Sequence, residues 1–142
     1  MAIQQFSASL PMMLYRAIDV VMPRFRRIFK EFGLTEQQWR VLRVLWEIEE
    51  ISHNELAGLT LISPPSLVGV LDRLESMQLI ERRRSARDRR VVYIASTQQG
   101  RDLRDQLMPA VQQSYFELRD SMDDAIWRSL LEGLEELVTV RR

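Results

Sequence analysis

The feature that most constrains the fold of this sequence is a change of hydrophobic period near residue 79. From residue 8 to residue 78, apolar residues recur every three or four positions, as in amphipathic helices. Residues 79–84 and 90–95 are two short segments, the second rich in β-branched residues, and helical spacing returns at residue 97. The pattern predicts a mainly α protein with one small β-hairpin.

Capping signals divide the helical part before the hairpin. A long helix is predicted over residues 8–32, with Pro23 expected to kink it. Thr35, Ser52 and Ser63 each precede a new run of helical spacing and are predicted N-caps. Two more helices are predicted over residues 97–140. At 142 residues the chain has the length of one domain, and we expect a single domain over 1–142.

Arginine is concentrated around the polar stretch of the hairpin. The whole chain has no formal net charge, so its total charge indicates no nucleic-acid partner. Residues 80–96 nevertheless carry Arg82, Arg83, Arg84, Arg87, Arg89 and Arg90. The planar guanidinium suits phosphates, base edges and carboxylates. The hairpin is therefore predicted to have a basic tip.

The sequence lacks the residue patterns that several function classes require. With no cysteine and only His53 for histidine, the chain offers no thiol nucleophile and no multi-histidine metal site. No nucleophile–base pair or glycine-rich phosphate loop is present, so we expect neither an enzyme nor a cofactor. No apolar run is long enough to span a bilayer, and no signal peptide is evident, so we expect a cytoplasmic protein without a membrane partner.

The order of elements over residues 35–96 is typical of a winged helix-turn-helix. In such modules the last helix enters the major groove of DNA with its N-terminal residues toward the bases. In this chain that end consists of Ser63, Pro64, Pro65, Ser66 and Leu67. The helix N-terminus is also expected to attract a phosphate. An arginine-rich hairpin tip suits the narrow minor groove. A purely structural helix pair and a solvated arginine face are the alternatives.

The helices that flank this module, 8–32 and 97–140, carry long apolar stripes. A module of this size cannot cover both stripes by itself. They pack either on each other or against a second chain. We expect a homodimer built from these dimerisation helices, because two recognition helices then read two half-sites of one duplex.

The sequence resembles the MarR family of bacterial transcription regulators over nearly its whole length. The recognition-helix signature of that family is matched by Leu67, Val70, Leu71, Asp72, Arg73 and Leu74, its wing motif by Asp88, Arg89 and Arg90, and its next helix start by Thr97 and Gly100. Ser96 stands where the family usually has leucine. Residues 34–40 further look like the subgroup that regulates homoprotocatechuate degradation operons.

The resemblance implies a dimer that binds a pseudo-palindromic operator and usually represses. It assigns Arg90 to the minor groove, with Asp88 orienting it through an ion pair. It implies that Arg73 contacts phosphate or braces the wing, although an ion pair with Asp72 or Glu75 is the alternative. Further phosphate contacts are expected from Arg82, Arg83, Arg84 and Arg87, some of which are expected to be merely solvated.

The family also implies a small aromatic carboxylate as effector. The expected pocket residues are Arg16, Met12, Trp39 and Arg40, which provide cations beside apolar walls. Alternatively, Arg16 pairs with Asp19 or with a carboxylate of the other chain, and Trp39 is a core residue. Two other functions remain open: a DNA-binding regulator without an effector, and a winged-helix protein–protein adaptor.

Overall fold

The computed structural model of the chain describes residues 5–140, which form two compact units. The first, which we call the central unit, is Arg26–Met108. The second, the terminal unit, combines residues 5–25 with residues 109–140. Both boundaries fall inside long helices, whereas the sequence predicts a single domain over 1–142 with its winged module at 35–96.

Within the described residues the chain has six α-helices and one three-stranded sheet, which confirms the expected fold class. The elements are α1 (Leu10–Glu31), α2 (Glu36–Leu45), β1 (Ile51–Ser52), α3 (His53–Thr60), α4 (Pro64–Ser76), β2 (Ile80–Arg84), β3 (Val92–Ser96), α5 (Gln98–Asp120) and α6 (Asp124–Thr139). A short 3-10 helix, Phe6–Ala8, precedes α1.

Side-chain caps start the helices of the central unit where the sequence predicts them. Thr35 and Gln38 form a reciprocal capping box, with N···O distances of 3.1 and 3.0 Å. Ser52 accepts a hydrogen bond from the backbone N–H of Glu55 at 3.3 Å. The Glu55 carboxylate accepts from the Ser52 hydroxyl rather than from its backbone. Each cap satisfies a helix N–H that would otherwise have no intrahelical partner.

The sheet has the order β1–β3–β2, and both pairings are antiparallel. β2 and β3 form the predicted hairpin, which we call the wing, with Arg82 opposite Ile94. The second strand begins at Val92 rather than at Arg90, because Arg90 lies in the turn. The pairing of Ile51 with Ile94 was not predicted, since β1 has only two residues and no period of its own.

The core of the central unit lies between α2, α3, α4 and the sheet. Fully buried side chains come from the inner faces of these elements and from α1 and α5: Phe29, Val41, Leu42, Leu45, Leu56, Leu67, Leu71, Leu74, Ile80, Ile94 and Leu107. Gly100 in α5 is also buried, and its carbonyl accepts a hydrogen bond from Trp46 Nε1 at 3.1 Å. The core thus fixes α4 and the wing to one scaffold.

The terminal unit consists of helical segments from both ends of the chain. Pro23 and Pro109 lie inside α1 and α5, and neither ends its helix. Arg24 Nη1 lies 3.4 Å from the carbonyl of Ser114, and the rings of Tyr115 and Trp127 meet edge to face at 5.7 Å. α6, capped by Asp123, contains no buried residue.

Candidate nucleic-acid interface

The start of α4 presents a small polar and apolar surface. Ser63 is the N-cap, Pro64 and Pro65 follow, and these residues and Ser66 are all exposed. The Ser63 hydroxyl accepts from the Ser66 N–H at 3.3 Å and donates to Ser66 Oγ at 2.8 Å. Across the turn, His53 Nε2 lies 3.0 Å from the carbonyl of Pro64 and ties α3 to this end of α4.

Two expectations for the α4 start need correction. Leu67 is fully buried, so its side chain packs in the core and does not face a duplex. The helix start was also expected to attract a phosphate. However, Pro64 and Pro65 have no N–H, and the cap occupies that of Ser66. A ligand at this end would therefore meet serine hydroxyls rather than free backbone donors.

Ser85 organises the turn of the wing, residues 85–91, which we call the wing tip. Its Oγ accepts from the N–H groups of Arg87 and Asp88, each at 3.2 Å, and its own N–H donates to the carbonyl of Val91 at 2.9 Å. The Val91 N–H closes the turn on the carbonyl of Asp88. Sequence reasoning did not single out this serine, although serine at a turn is a common local signal.

Asp88 holds Arg90 in a fixed orientation at the wing tip. Arg90 Nε and Nη2 donate to the two carboxylate oxygens of Asp88 at 3.0 and 3.1 Å, and the Arg90 backbone N–H donates as well. These hydrogen bonds lower the pKa of Asp88 and raise that of Arg90. The Arg90 side chain is still 91% exposed. It therefore points away from the protein while Asp88 fixes its orientation.

The other arginines near the wing differ in their partners. Arg84 Nη1 donates to the carbonyl of Arg89 at 2.7 Å, on the wing tip. The Arg87 guanidinium has no hydrogen bond among residues 5–140 and is exposed. Arg73 is exposed on α4 and does not brace the wing within the described chain, nor does it form the ion pair considered as the alternative.

Arg82 takes the acidic partners that were considered for Arg73. It bonds to Asp72 and Glu75 of α4, at 2.7 and 3.0 Å for the shortest contacts. Arg83 bonds to Glu50 through Nε at 3.0 Å and lies over the ring of Tyr93, with 5.0 Å to the centroid. The Arg83–Glu50 contact joins positions far apart in sequence and gave no local signal.

The candidate effector residues are divided between the two units. In the central unit, the half-buried Trp39 stacks on Phe29 at 4.6 Å and meets Trp46 edge to face at 5.8 Å. Arg40 Nη1 donates to the carbonyl of Thr60 at 2.9 Å, and its buried Nε has no partner among the described residues.

Arg16 and Met12 lie on α1 in the terminal unit. Arg16 is exposed and Met12 half-buried. Arg16 Nη1 donates to the carbonyl of Ser7 at 3.2 Å and contacts the sulfur of Met13 at 3.6 Å. The pair with Asp19, which was the alternative for Arg16, does not form among residues 5–140.

Residues 5–140 include no cluster of three or more histidine, aspartate or glutamate side chains placed to bind a metal ion. In the same part of the chain, no helix combines the length and apolar character required to cross a membrane.

Comparison with known proteins identifies relatives of this chain. The MarR family profile matches residues 34–92. The homoprotocatechuate degradative operon repressor of Escherichia coli is 33% identical over 132 residues, which cover 93% of this chain and 89% of that protein. The transcriptional regulator FarR of Neisseria gonorrhoeae is 32% identical over 97% of this chain and 92% of its own length.

A solved structure is also similar to this chain over nearly its whole length. The crystal structure of NadR in complex with 4-hydroxyphenylacetate has a TM-score of 0.82 and 30% identity to this chain. The match covers 99% of this chain and 100% of that one. The Escherichia coli relative is a repressor, and FarR is a transcriptional regulator.

Proposed function

This chain belongs to the MarR family of DNA-binding transcriptional regulators, and on that premise we propose how it binds DNA and what it controls. A homodimer binds a pseudo-palindromic operator and represses the adjacent genes. The exposed start of α4 enters the major groove, and the wing tip enters the minor groove. Phosphate contacts come from Arg84, Arg87 and Arg73.

The observation that carries this proposal is the geometry of Arg90. Its side chain is 91% exposed, yet Asp88 holds the guanidinium by two hydrogen bonds. An exposed arginine without such a partner loses side-chain entropy when it binds. Because Asp88 has already restricted Arg90, less entropy remains to be lost on entry into a narrow, negatively charged groove.

The proposed dimer rests on the apolar surface of the terminal unit. Exposed apolar side chains occur on all of its helical segments: Leu10, Met13, Ile18, Val20, Tyr115, Phe116, Ile126, Leu130, Leu131, Leu137 and Val138. An apolar surface of this extent is typical of an interface. A second copy of the chain covers it in the proposed assembly, and sedimentation would show a monomer if this is wrong.

Replacing Arg90 with alanine tests the DNA proposal. We expect operator binding to weaken by roughly 1–3 kcal/mol, the usual scale for one groove contact. Arg104→Ala is the matched control, because Arg104 is a partly exposed arginine on α5 that also pairs with an aspartate. The assay is anisotropy with duplexes from the gene's own upstream region, at several salt concentrations. Equal affinities for the two variants would contradict the assignment.

We further propose that a small aromatic carboxylate releases the repressor. The names of the relatives support this proposal, since one represses a homoprotocatechuate operon and another was crystallised with 4-hydroxyphenylacetate. Arg16 is the proposed carboxylate partner, with Met12 near the ring. The contact of Arg16 with the Ser7 carbonyl is 3.2 Å long and exposed, so a carboxylate can replace it.

A thermal-shift screen with hydroxyphenylacetates and benzoates tests the effector proposal. We expect a ligand that raises the Tm of the wild type and lowers operator affinity, with both effects reduced in Arg16→Ala. Arg27→Ala, an exposed arginine on the same helix, is the control. No shift with any compound, with operator binding intact, would favour a regulator without an effector.

A further inference from the structure

Arg82 faces the recognition helix rather than the solvent. Its Nη2 donates to Asp72 Oδ1 at 2.7 Å, its Nε donates to Glu75 Oε2 at 3.0 Å, and Nη2 also reaches Glu75 Oε1 at 3.3 Å. Asp72 and Glu75 are three residues apart on α4, so they share one face of the helix. One guanidinium therefore joins β2 to two acidic residues on the same face of α4.

The alternation of side chains along β2 explains why Arg82 and its neighbour have different partners. Successive residues of a strand point to opposite faces. Arg82 turns to α4, whereas Arg83 turns to Glu50, which precedes β1, and covers Tyr93 on the paired strand. The wing is thus tied to the central unit on both of its faces.

The charge of Arg82 is poorly placed for a phosphate. Its side chain is only 25% exposed, against 91% for Arg90. The hydrogen bonds that Arg82 donates to Glu75 and Asp72 raise the pKa of Arg82, and the bond to Glu75 lowers the pKa of Glu75. Two carboxylates beside one guanidinium leave a negative local charge, which repels a phosphate. Arg84 and Arg87 have no carboxylate partner in the described chain.

We propose that Arg82 is a positioning residue, which sets the distance between α4 and the wing through Asp72 and Glu75 and does not contact the DNA backbone. The proposal rests on the proposed function and changes one expectation drawn from the sequence, in which Arg82 binds phosphate. The spacing that Arg82 sets lets α4 occupy the major groove while Arg90 reaches the adjacent minor groove. Its contribution to binding therefore acts through Arg90.

The variants Arg82→Gln and Glu75→Gln separate positioning from direct contact, because the two roles predict opposite signs. If Arg82 positions the wing, Glu75→Gln weakens operator binding by about 2- to 5-fold, the scale of a partly exposed ion pair. If Arg82 binds phosphate, Glu75→Gln removes a repelling charge and leaves affinity unchanged or higher. Arg84→Gln is the reference for direct contact, since Arg84 is a proposed phosphate contact on the same strand and its removal breaks no ion pair among the described residues.

A double-mutant cycle with full-length protein completes the test. We expect Arg82→Gln to weaken binding about 5-fold or more, Glu75→Gln to add little in the Arg82→Gln background, and Arg82→Gln to cost little in the Arg90→Ala background. Additive effects, or a Glu75→Gln protein that binds as well as the wild type, would overturn the proposal. If Arg82→Gln fails to fold, the direction in which Glu75→Gln changes operator affinity decides between the two roles. A wild type that binds no upstream duplex would instead refute the proposed function.

Discussion

Replacing Gly100 with alanine should destabilise the central unit, although alanine is the better helix former. A Cβ at this position of α5 would lie 2.3 Å from the carbonyl oxygen of Leu79 and 3.5 Å from the Cβ of Ser96. The Leu79 oxygen is itself fixed, because it accepts the Thr97 N–H at 3.0 Å. The obstacle is backbone, so no side-chain rotation can relieve it.

Two opposing effects set the change in the free energy of unfolding for Gly100→Ala. Alanine gains up to about 1 kcal/mol over glycine in a helix interior. Overpacking that forces a backbone shift costs about 1–3 kcal/mol or more, and a 2.3 Å approach places Gly100 at the upper end. The expected net loss is about 1–2 kcal/mol, or a Tm lower by roughly 3–10 °C for a chain of this size.

Thermal unfolding followed by circular dichroism measures this difference, with Gly58→Ala as the control. Gly58 lies in α3, and a Cβ there would meet nothing within 4 Å. We expect Gly58→Ala to leave the Tm unchanged or raise it. A Gly100→Ala protein as stable as the wild type would show that α5 shifts freely against Leu79 and Ser96, which would refute the close-contact reasoning.

Three further outcomes are expected. Ser85→Ala should cost the wing tip about 1–2 kcal/mol of local stability by removing two hydrogen bonds, measured as faster amide exchange at Arg87 and Asp88; unchanged protection would remove Ser85 from its assigned role. Gln78→Gly should raise the free energy of unfolding by about 0.5–1 kcal/mol in urea titrations, since Gln78 has φ 62°, and a decrease would contradict the strain argument. Because Arg82 lowers the pKa of Glu75, the pair stabilises the fold above the ordinary glutamate pKa and loses this contribution as pH falls through the lowered value. The stability difference between wild type and Glu75→Gln should therefore be constant from about pH 8 to pH 5 and shrink below about pH 4. A difference that grows in acid would contradict the lowered pKa of Glu75.

Local signals predicted the elements of this fold better than the contacts between them. The capping serines and threonine act within three residues, so the starts of α2, α3 and α4 could be read directly. β1 could not, because its two residues become a strand only by pairing with β3. Long-range pairing of this kind leaves no period in the sequence.

In the candidate site, too, local contacts were easier to predict than long-range ones. The Asp88–Arg90 pair spans two residues and was anticipated from the wing motif. The role of bracing the wing was considered for Arg73, whereas Arg82 performs it from another element. The burial of Leu67 was likewise hidden, since the inward face of α4 begins within its first turn and only packing decides where.

The pairing of β1 with β3 has a mechanical consequence. Ser52 belongs to β1 and also caps α3, so the ladder that holds the wing continues directly into the first helix of the helix-turn-helix. A hinge between the wing and the helices would have to break inter-strand bonds and a cap at once. Changes in operator affinity are therefore expected to come from moving the whole central unit as one piece, with the groove-facing parts keeping their mutual distance, rather than from a swinging wing.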